Sequence, residues 1–230
     1  MKKAFTMLEL VFVIVIIGIL AATIIPNTRT NPLQEAALQI VSDIRYTQHL
    51  AMVDDKFNIN DVNWSHQRWQ ILFSSNGSSG GEMAYTIFSD TSGDGSGNPD
   101  VAEIARNPAN FSERMSGGQT SSVLLNIDNA GFVGMNKLNL GRSYGIDDVT
   151  FPNNSCSNGG SRRIAFDHIG RPIKGSLASN DTAYENYNLI TDVNNCNIIL
   201  THTTGTTLTI RVHRETGYVC IIDDATANCI

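Results

Sequence analysis

Phe5-Thr6-Met7-Leu8-Glu9-Leu10-Val11-Phe12-Val13-Ile14-Val15-Ile16-Ile17-Gly18-Ile19-Leu20-Ala21-Ala22-Thr23-Ile24-Ile25 is the one long apolar stretch of the chain. Its 21 residues, coiled as a helix rising about 1.5 Å per residue, would run about 30 Å, the thickness of a bilayer's hydrocarbon core. Lys2 and Lys3 precede it. The positive-inside rule then predicts a single span with a cytoplasmic N-terminus and the bulk of the chain outside. Glu9 is out of place in such a segment. A carboxylate near the start of an apolar span costs about 2–3 kcal/mol on insertion scales, so it needs a reason.

A cleaved secretory signal fits poorly. Ala21-Ala22-Thr23 ends in Thr and Ile24-Ile25-Pro26 is bulky, so small residues at both specificity positions before a cut are hard to find. An ordinary signal anchor explains length and orientation but leaves Glu9 unexplained. A third reading accounts for it. Ala4 to Leu10, followed by Val13 to Ala22 and Pro26, resembles the class III leader and N-terminal helix of the type IV pilins and the type II secretion pseudopilins. The resemblance implies that a prepilin peptidase cuts between Ala4 and Phe5 and that the new Phe5 amine is methylated. It also makes Glu9 the acidic assembly residue, facing the Phe5 amine of a neighbouring copy. Inside a low-dielectric bundle such a pair fixes register, while either charge alone is penalised. Ala4 stands where the family usually has Gly, and Met7 where Leu is common. The leader resemblance covers the first 26 residues or so.

The same resemblance implies a place in the inner membrane: a single pass, N-terminus cytoplasmic, head periplasmic. Its implied partners are other pilin or pseudopilin subunits through the N-terminal helix, the prepilin peptidase, and an inner-membrane assembly platform. The expected organisation is a leader over 1–4, a transmembrane helix over 5–25, an amphipathic half of the N-terminal helix over 26–56, and a β-rich head over 57–230, the two helical halves forming one long rod, bent or briefly interrupted near Pro26 to Pro32.

The rest of the chain supports the last two of these. Asn31 then Pro32 reads as an N-cap and first helical position. Leu33, Ala36, Ala37, Ile40, Val41, Ile44, Gln48 and Ala51 recur at three- and four-residue steps, an amphipathic helix to about Val53. From about Phe57 the period becomes two. Trp69, Ile71 and Phe73 alternate with Gln70 and Leu72. Ala84 to Phe88 and Val123 to Ile127 are further short apolar runs, and Ser74 to Gly81 reads as a flexible polar loop. Leu208, Ile210 and Val212 alternate with Thr207, Thr209 and Arg211, and Glu215-Thr216-Gly217 turns the chain back through Tyr218 to Ile222, a half-buried hairpin. The predicted class is α+β, a long N-terminal helix packed on a β-rich, sandwich-like head.

Composition agrees with strands and loops. The 230 residues include 23 Asn, 19 Ser, 19 Thr and 19 Gly, and 41% are hydrophobic, which excludes a disordered chain. The net charge of −6 argues against a broadly basic nucleic-acid scaffold. Ile40 to Met52, Trp69-Gln70-Ile71, Tyr85 to Asp90, Phe166 to Arg171 and Arg211 to Gly217 resemble, loosely, segments of the H-type minor pseudopilins and FimT-like minor pilins. That subfamily implies a tip-complex or initiation role. Its association with DNA uptake makes DNA capture the alternative, for which Arg162-Arg163 and Arg211 with Arg214 are the local basic groups.

Cys156, Cys196, Cys220 and Cys229 lie outside the anchor and the first helix. No CxxC occurs, so zinc and thioredoxin chemistry are not expected, and an even count in an oxidising compartment reads as disulfides. Of the three possible pairings, the short Cys220–Cys229 loop, leaving Cys156–Cys196, is favoured. Asp90, Ser92, Asp94, Ser96 and Asn98, with Gly95 after the third and Asp100 nearby, space oxygen ligands as a calcium loop does. Val101 occupies the place of the bidentate Glu, so a solvated turn competes with Ca2+ binding. The histidines His49, His66, His168, His202 and His213 form no zincin pair, and no nucleophile elbow or phosphate loop occurs. Nothing points to an enzyme.

Overall fold

A computed structural model of the chain describes residues 6–24, 31–92, 97–152, 156, 160–178, 182–184, 190, 196–223 and 225–230, with backbone alone at 21–24. Two units separate, Met1–Asn31 and Pro32–Ile230.

The first unit holds α1, Met7–Ile24. Its start is a capping box. The Thr6 hydroxyl accepts from the Glu9 N–H at 3.3 Å, and the Glu9 carboxylate accepts from the Thr6 N–H at 3.0 Å. This is the reciprocal arrangement that satisfies orphan donors in a helix's first turn.

The second unit opens with α2, Pro32–Val53. The proline sits at the helix start, where its missing N–H costs nothing. Leu33, Ala36, Ala37, Ile40, Val41, Ile44 and Ala51 are buried along one face, as their spacing requires. Ten strands follow among the described residues: β1 (Trp69–Ser75), β2 (Met83–Ser89), β3 (Arg106–Asn107), β4 (Asn110–Arg114), β5 (Ile146–Thr150), β6 (Arg163–Phe166), β7 (Pro172–Lys174), β8 (Cys196–His202), β9 (Thr207–Val212) and β10 (Val219–Ile222). A short α3, Leu140–Tyr144, precedes β5. All pairings are antiparallel. One sheet runs β2-β1-β6-β7, a second β10-β9-β8-β5, and β3-β4 form a ribbon.

α2 packs on β1 and β6 of the first sheet and on β8, β9 and β10 of the second. One core therefore joins Ile40 and Ile44 to Ile71, Phe73, Tyr85 and Ile164 on one side and to Ile198, Ile210 and Val219 on the other. Ile40 and Ile44 are fully buried, so truncating either to Ala would cost about 2–5 kcal/mol. The opposite face of the first sheet is also covered, because Leu72 and Phe88 pack with Ile104 and Leu125. That is why β1 buries Gln70 and Leu72 as well as Ile71 and Phe73.

Four expectations are corrected. The single long N-terminal helix packed on the head is absent: the fold is α+β with mostly antiparallel sheets, and α1 and α2 are separate helices. Pro32 starts α2, where it could not lie within an unbroken helix without losing a hydrogen bond and clashing with the preceding turn. Nor is a membrane span supported. α1 has 18 residues, about 27 Å of rise against the 20 or so residues a span needs, and no helix among the described residues is long and apolar enough to cross a membrane. The single-pass inner-membrane location falls with it. Finally, Ser74–Gly81 is built rather than loose: Ser74 and Ser75 end β1, and Asn76 caps a 3-10 turn over Gly77–Ser79 by accepting from Ser78 and Ser79 N–H groups. The Val123–Ile127 run likewise yields a 3-10 turn, Val123–Leu125, with Leu125 buried, and no strand.

Candidate functional site

α1 is the largest exposed apolar surface of the described chain. Met7, Leu8, Leu10, Val11, Phe12, Val13, Ile14, Val15, Ile16, Ile17, Ile19 and Leu20 are all exposed, from 42% at Ile16 to 86% at Met7. They run all round the helix, with no polar face. A helix of that kind is stable in water only when another apolar surface covers it. Glu9 is the one charged side chain among them. The Thr6 N–H and hydroxyl both donate to its Oε2, at 3.0 Å each. A carboxylate has lone pairs beyond these two, so the cap does not exhaust it. Ala4 and Phe5 lie outside the described residues.

The acidic loop is organised by two charges of the chain itself. The Glu103 carboxylate, buried, accepts from the Thr91, Ser92 and Asp100 N–H groups at 2.8, 2.6 and 2.9 Å. On the other side the buried Arg163 guanidinium donates to the Gly97 carbonyl at 2.5 Å and to Gln70 Oε1 at 3.3 Å. Burial lowers the Arg163 pKa to about 10, with the Asp90 carboxylate opposing that shift. Asp90 is buried, while Ser92, Asn98 and Asp100 are exposed; Asp94 and Ser96 lie outside the described residues. Among the described residues, the loop's carboxylates do not bring three ligand oxygens together. The backbone amides face Glu103, and a cation already sits behind Asp90.

The basic residues are engaged within the chain. Arg162 pairs with Asp148 at 3.0 Å, Arg211 donates to Asn197 Oδ1 at 3.1 Å, and Arg214 pairs with Glu215 at 3.2 Å.

No known family, curated protein or solved structure matches the chain.

The four cysteines form two disulfides, Cys156–Cys196 and Cys220–Cys229. The first bridges a separation of 40 residues and ties Cys156 to the start of β8. A chain-entropy account of that loop gives about 4 kcal/mol of stabilisation. The second ties β10 to the C-terminal tail.

Three further positions escaped sequence reading. Asp43, on the buried face of α2, accepts from Tyr85 Oη at 2.6 Å and from Gln39 Nε2 at 3.0 Å. Burial raises its pKa, with Tyr85 and Gln39 opposing. Gln48 Nε2 donates to the Gly170 and Thr216 carbonyls, at 2.8 Å each, pinning the turns after β6 and β9 to α2. Beside those turns lies a cleft of about 340 Å³ lined by Asp167, Arg171, Ile173, Ile190, Arg214 and Glu215. Thr6 is the third, and its signal was present: Thr6-Met7-Leu8-Glu9 is a capping-box spacing.

Proposed function

We propose that the chain is a pilin-like minor subunit that joins a filament by packing α1 against the equivalent helices of other copies or related subunits. The observation behind this reading is the surface of α1, apolar all round, exposed along its described length, and carrying a single carboxylate at its start. Twelve large apolar side chains without cover are an association surface, and helices of the same kind are suitable cover because side chains of one fill the gaps of another. Glu9 would then meet a neighbour's Phe5 amine, formed by prepilin peptidase cleavage after Ala4. The β-rich unit carries the recognition surface. DNA capture draws no support from Arg162, Arg163, Arg211 and Arg214, which are bound within the chain.

Peptide mass analysis of the protein isolated from its native cells tests the processing step. The expected N-terminal peptide begins at a methylated Phe5. An intact Met1, or a start beyond Pro26, overturns the reading.

A further inference from the structure

His213 Nε2 lies 3.5 Å from Cys229 Sγ and 4.0 Å from Cys220 Sγ. These three atoms all lie within 4.8 Å of one another, the one such group of potential metal-ligating side chains among the described residues. We propose that, once its disulfide is reduced, this corner binds a Zn2+-class cation through His213 and the Cys220 and Cys229 thiolates.

The donor set and its spacing carry the argument. Two thiolates and an imidazole suit a borderline-soft, tetrahedral ion. Metal–sulfur bonds of about 2.3 Å and metal–nitrogen bonds of about 2.0 Å put such donors about 3.5–3.8 Å apart. The imidazole stands at that distance from the Cys229 sulfur and 4.0 Å from that of Cys220, and reduction frees the two bonded sulfurs to move apart to the ligand spacing. Three protein ligands leave the fourth position for water or an incoming group.

The backbone holds the donors in place without the S–S bond. His213 opens the turn between β9 and β10: its N–H donates to the Tyr218 carbonyl, and its carbonyl accepts from the Gly217 N–H. Cys220 pairs with Arg211 across β9 and β10. Cys229 bridges Ile222, flanked by Ile230 N–H to Ile221 carbonyl and Asp223 N–H to Asn228 carbonyl bonds of 2.9 Å. Cleavage therefore leaves both sulfurs beside the imidazole. Cys229 is exposed and His213 half-buried, so a reductant and a hydrated ion can reach them.

The chemistry balances. A dithiol reductant delivers two electrons and two protons. The S–S bond breaks, two thiols form, and the reductant closes to its own disulfide. The cation then displaces the two thiol protons to solvent. In the reverse direction a disulfide oxidant takes the two electrons by thiol–disulfide exchange and, with two protons from solvent, leaves as a dithiol; the Cys220–Cys229 bond re-forms and the metal is expelled, so metal occupancy follows redox state.

Cobalt titration of the full chain tests this. The protein is reduced with a phosphine, freed of it, and titrated with Co2+ under argon beside oxidised protein. Reduced protein should take up Co2+ with a thiolate-to-cobalt charge-transfer band that Zn2+ abolishes, and oxidised protein should show none. His213→Ala should weaken binding about tenfold or more, Cys229→Ser should remove much of the band, and a Cys156→Ser/Cys196→Ser variant should keep both band and affinity. No band in reduced wild type, unchanged affinity in His213→Ala, or a band lost only with Cys156 and Cys196 would overturn the proposal.

Discussion

Glu9 closes on Thr6. Its Oε2 accepts from both the Thr6 N–H and the Thr6 hydroxyl at 3.0 Å, and the hydroxyl in turn accepts from the Glu9 N–H. The acid that looked anomalous in an apolar run thus has a local task, and an intersubunit task has to be separated from it. Thr6→Ala removes the cap's hydroxyl and should cost the start of α1 about 1 kcal/mol of helix stability, read as slight fraying by hydrogen exchange, with assembly retained. Glu9→Val removes the charge that would meet a neighbour's amine and should abolish incorporation into filaments. Equal assembly defects in the two variants would reduce Glu9 to a capping residue.

Burial of Asp43 beneath Tyr85 gives stability a pH signature. Burial raises the folded-state pKa of Asp43 above its ordinary value, so the folded state binds the proton more tightly than the unfolded one. The contribution is fully present below the unfolded pKa and is lost as pH rises through the folded one. Asp43→Asn keeps an acceptor for Tyr85 and does not ionise. Its unfolding free energy should lack that fall with pH and should equal or exceed wild type at pH 7 in urea titrations. Asp43→Ala strands the Tyr85 hydroxyl, which is fully buried, and should lose about 1–3 kcal/mol.

Gln48 links two turns that are far apart in sequence. Gln48→Ala loses both bonds to Gly170 and Thr216 and should cost about 1–3 kcal/mol in chemical unfolding. Gly217→Ala should cost more. Gly217 has φ +64°, and an added Cβ would stand 2.2 Å from the Gly170 carbonyl oxygen, a backbone atom with little room to yield.

The loop around Asp90 should be indifferent to calcium. Glu103 already takes three amides and Arg163 supplies the positive charge behind Asp90. Differential scanning calorimetry should give the same melting temperature with calcium and with chelator, whereas Glu103→Ala, which strands three donors, should lower it. A calcium-dependent rise lost in Asp90→Ala would return the loop to the cation reading.

Much of the second unit was legible because its periodicities are strong. Leu33 to Ala51 defines the buried face of α2, and Leu208-Ile210-Val212 opposite Val219 to Ile222 gives the β9–β10 hairpin in register, with Val212 facing Val219. What sequence left hidden depends on partners distant in the chain. Leu72 and Phe88 are buried because Ile104 and Leu125 cover the sheet's other face, which strict alternation along β1 does not announce. His213 lies sixteen residues from Cys229, so ligand spacing along the chain gave no metal signal and the fold alone brings them together. At the N-terminus the start of α2 is legible, because Pro32 can only open a helix there, while the expected long rod gives way to two separate helices, α1 over Met7–Ile24 and α2 over Pro32–Val53.

Whether α1 is an assembly helix is tested most directly by placing a photo-crosslinking amino acid at Ile14, 60% exposed at the middle of that helix, in the protein expressed in its native cells. The account gives adducts joining α1 to α1 of another pilin-like subunit, diminished by Glu9→Val. Adducts to none of these helices, or an unchanged yield in Glu9→Val, would contradict it.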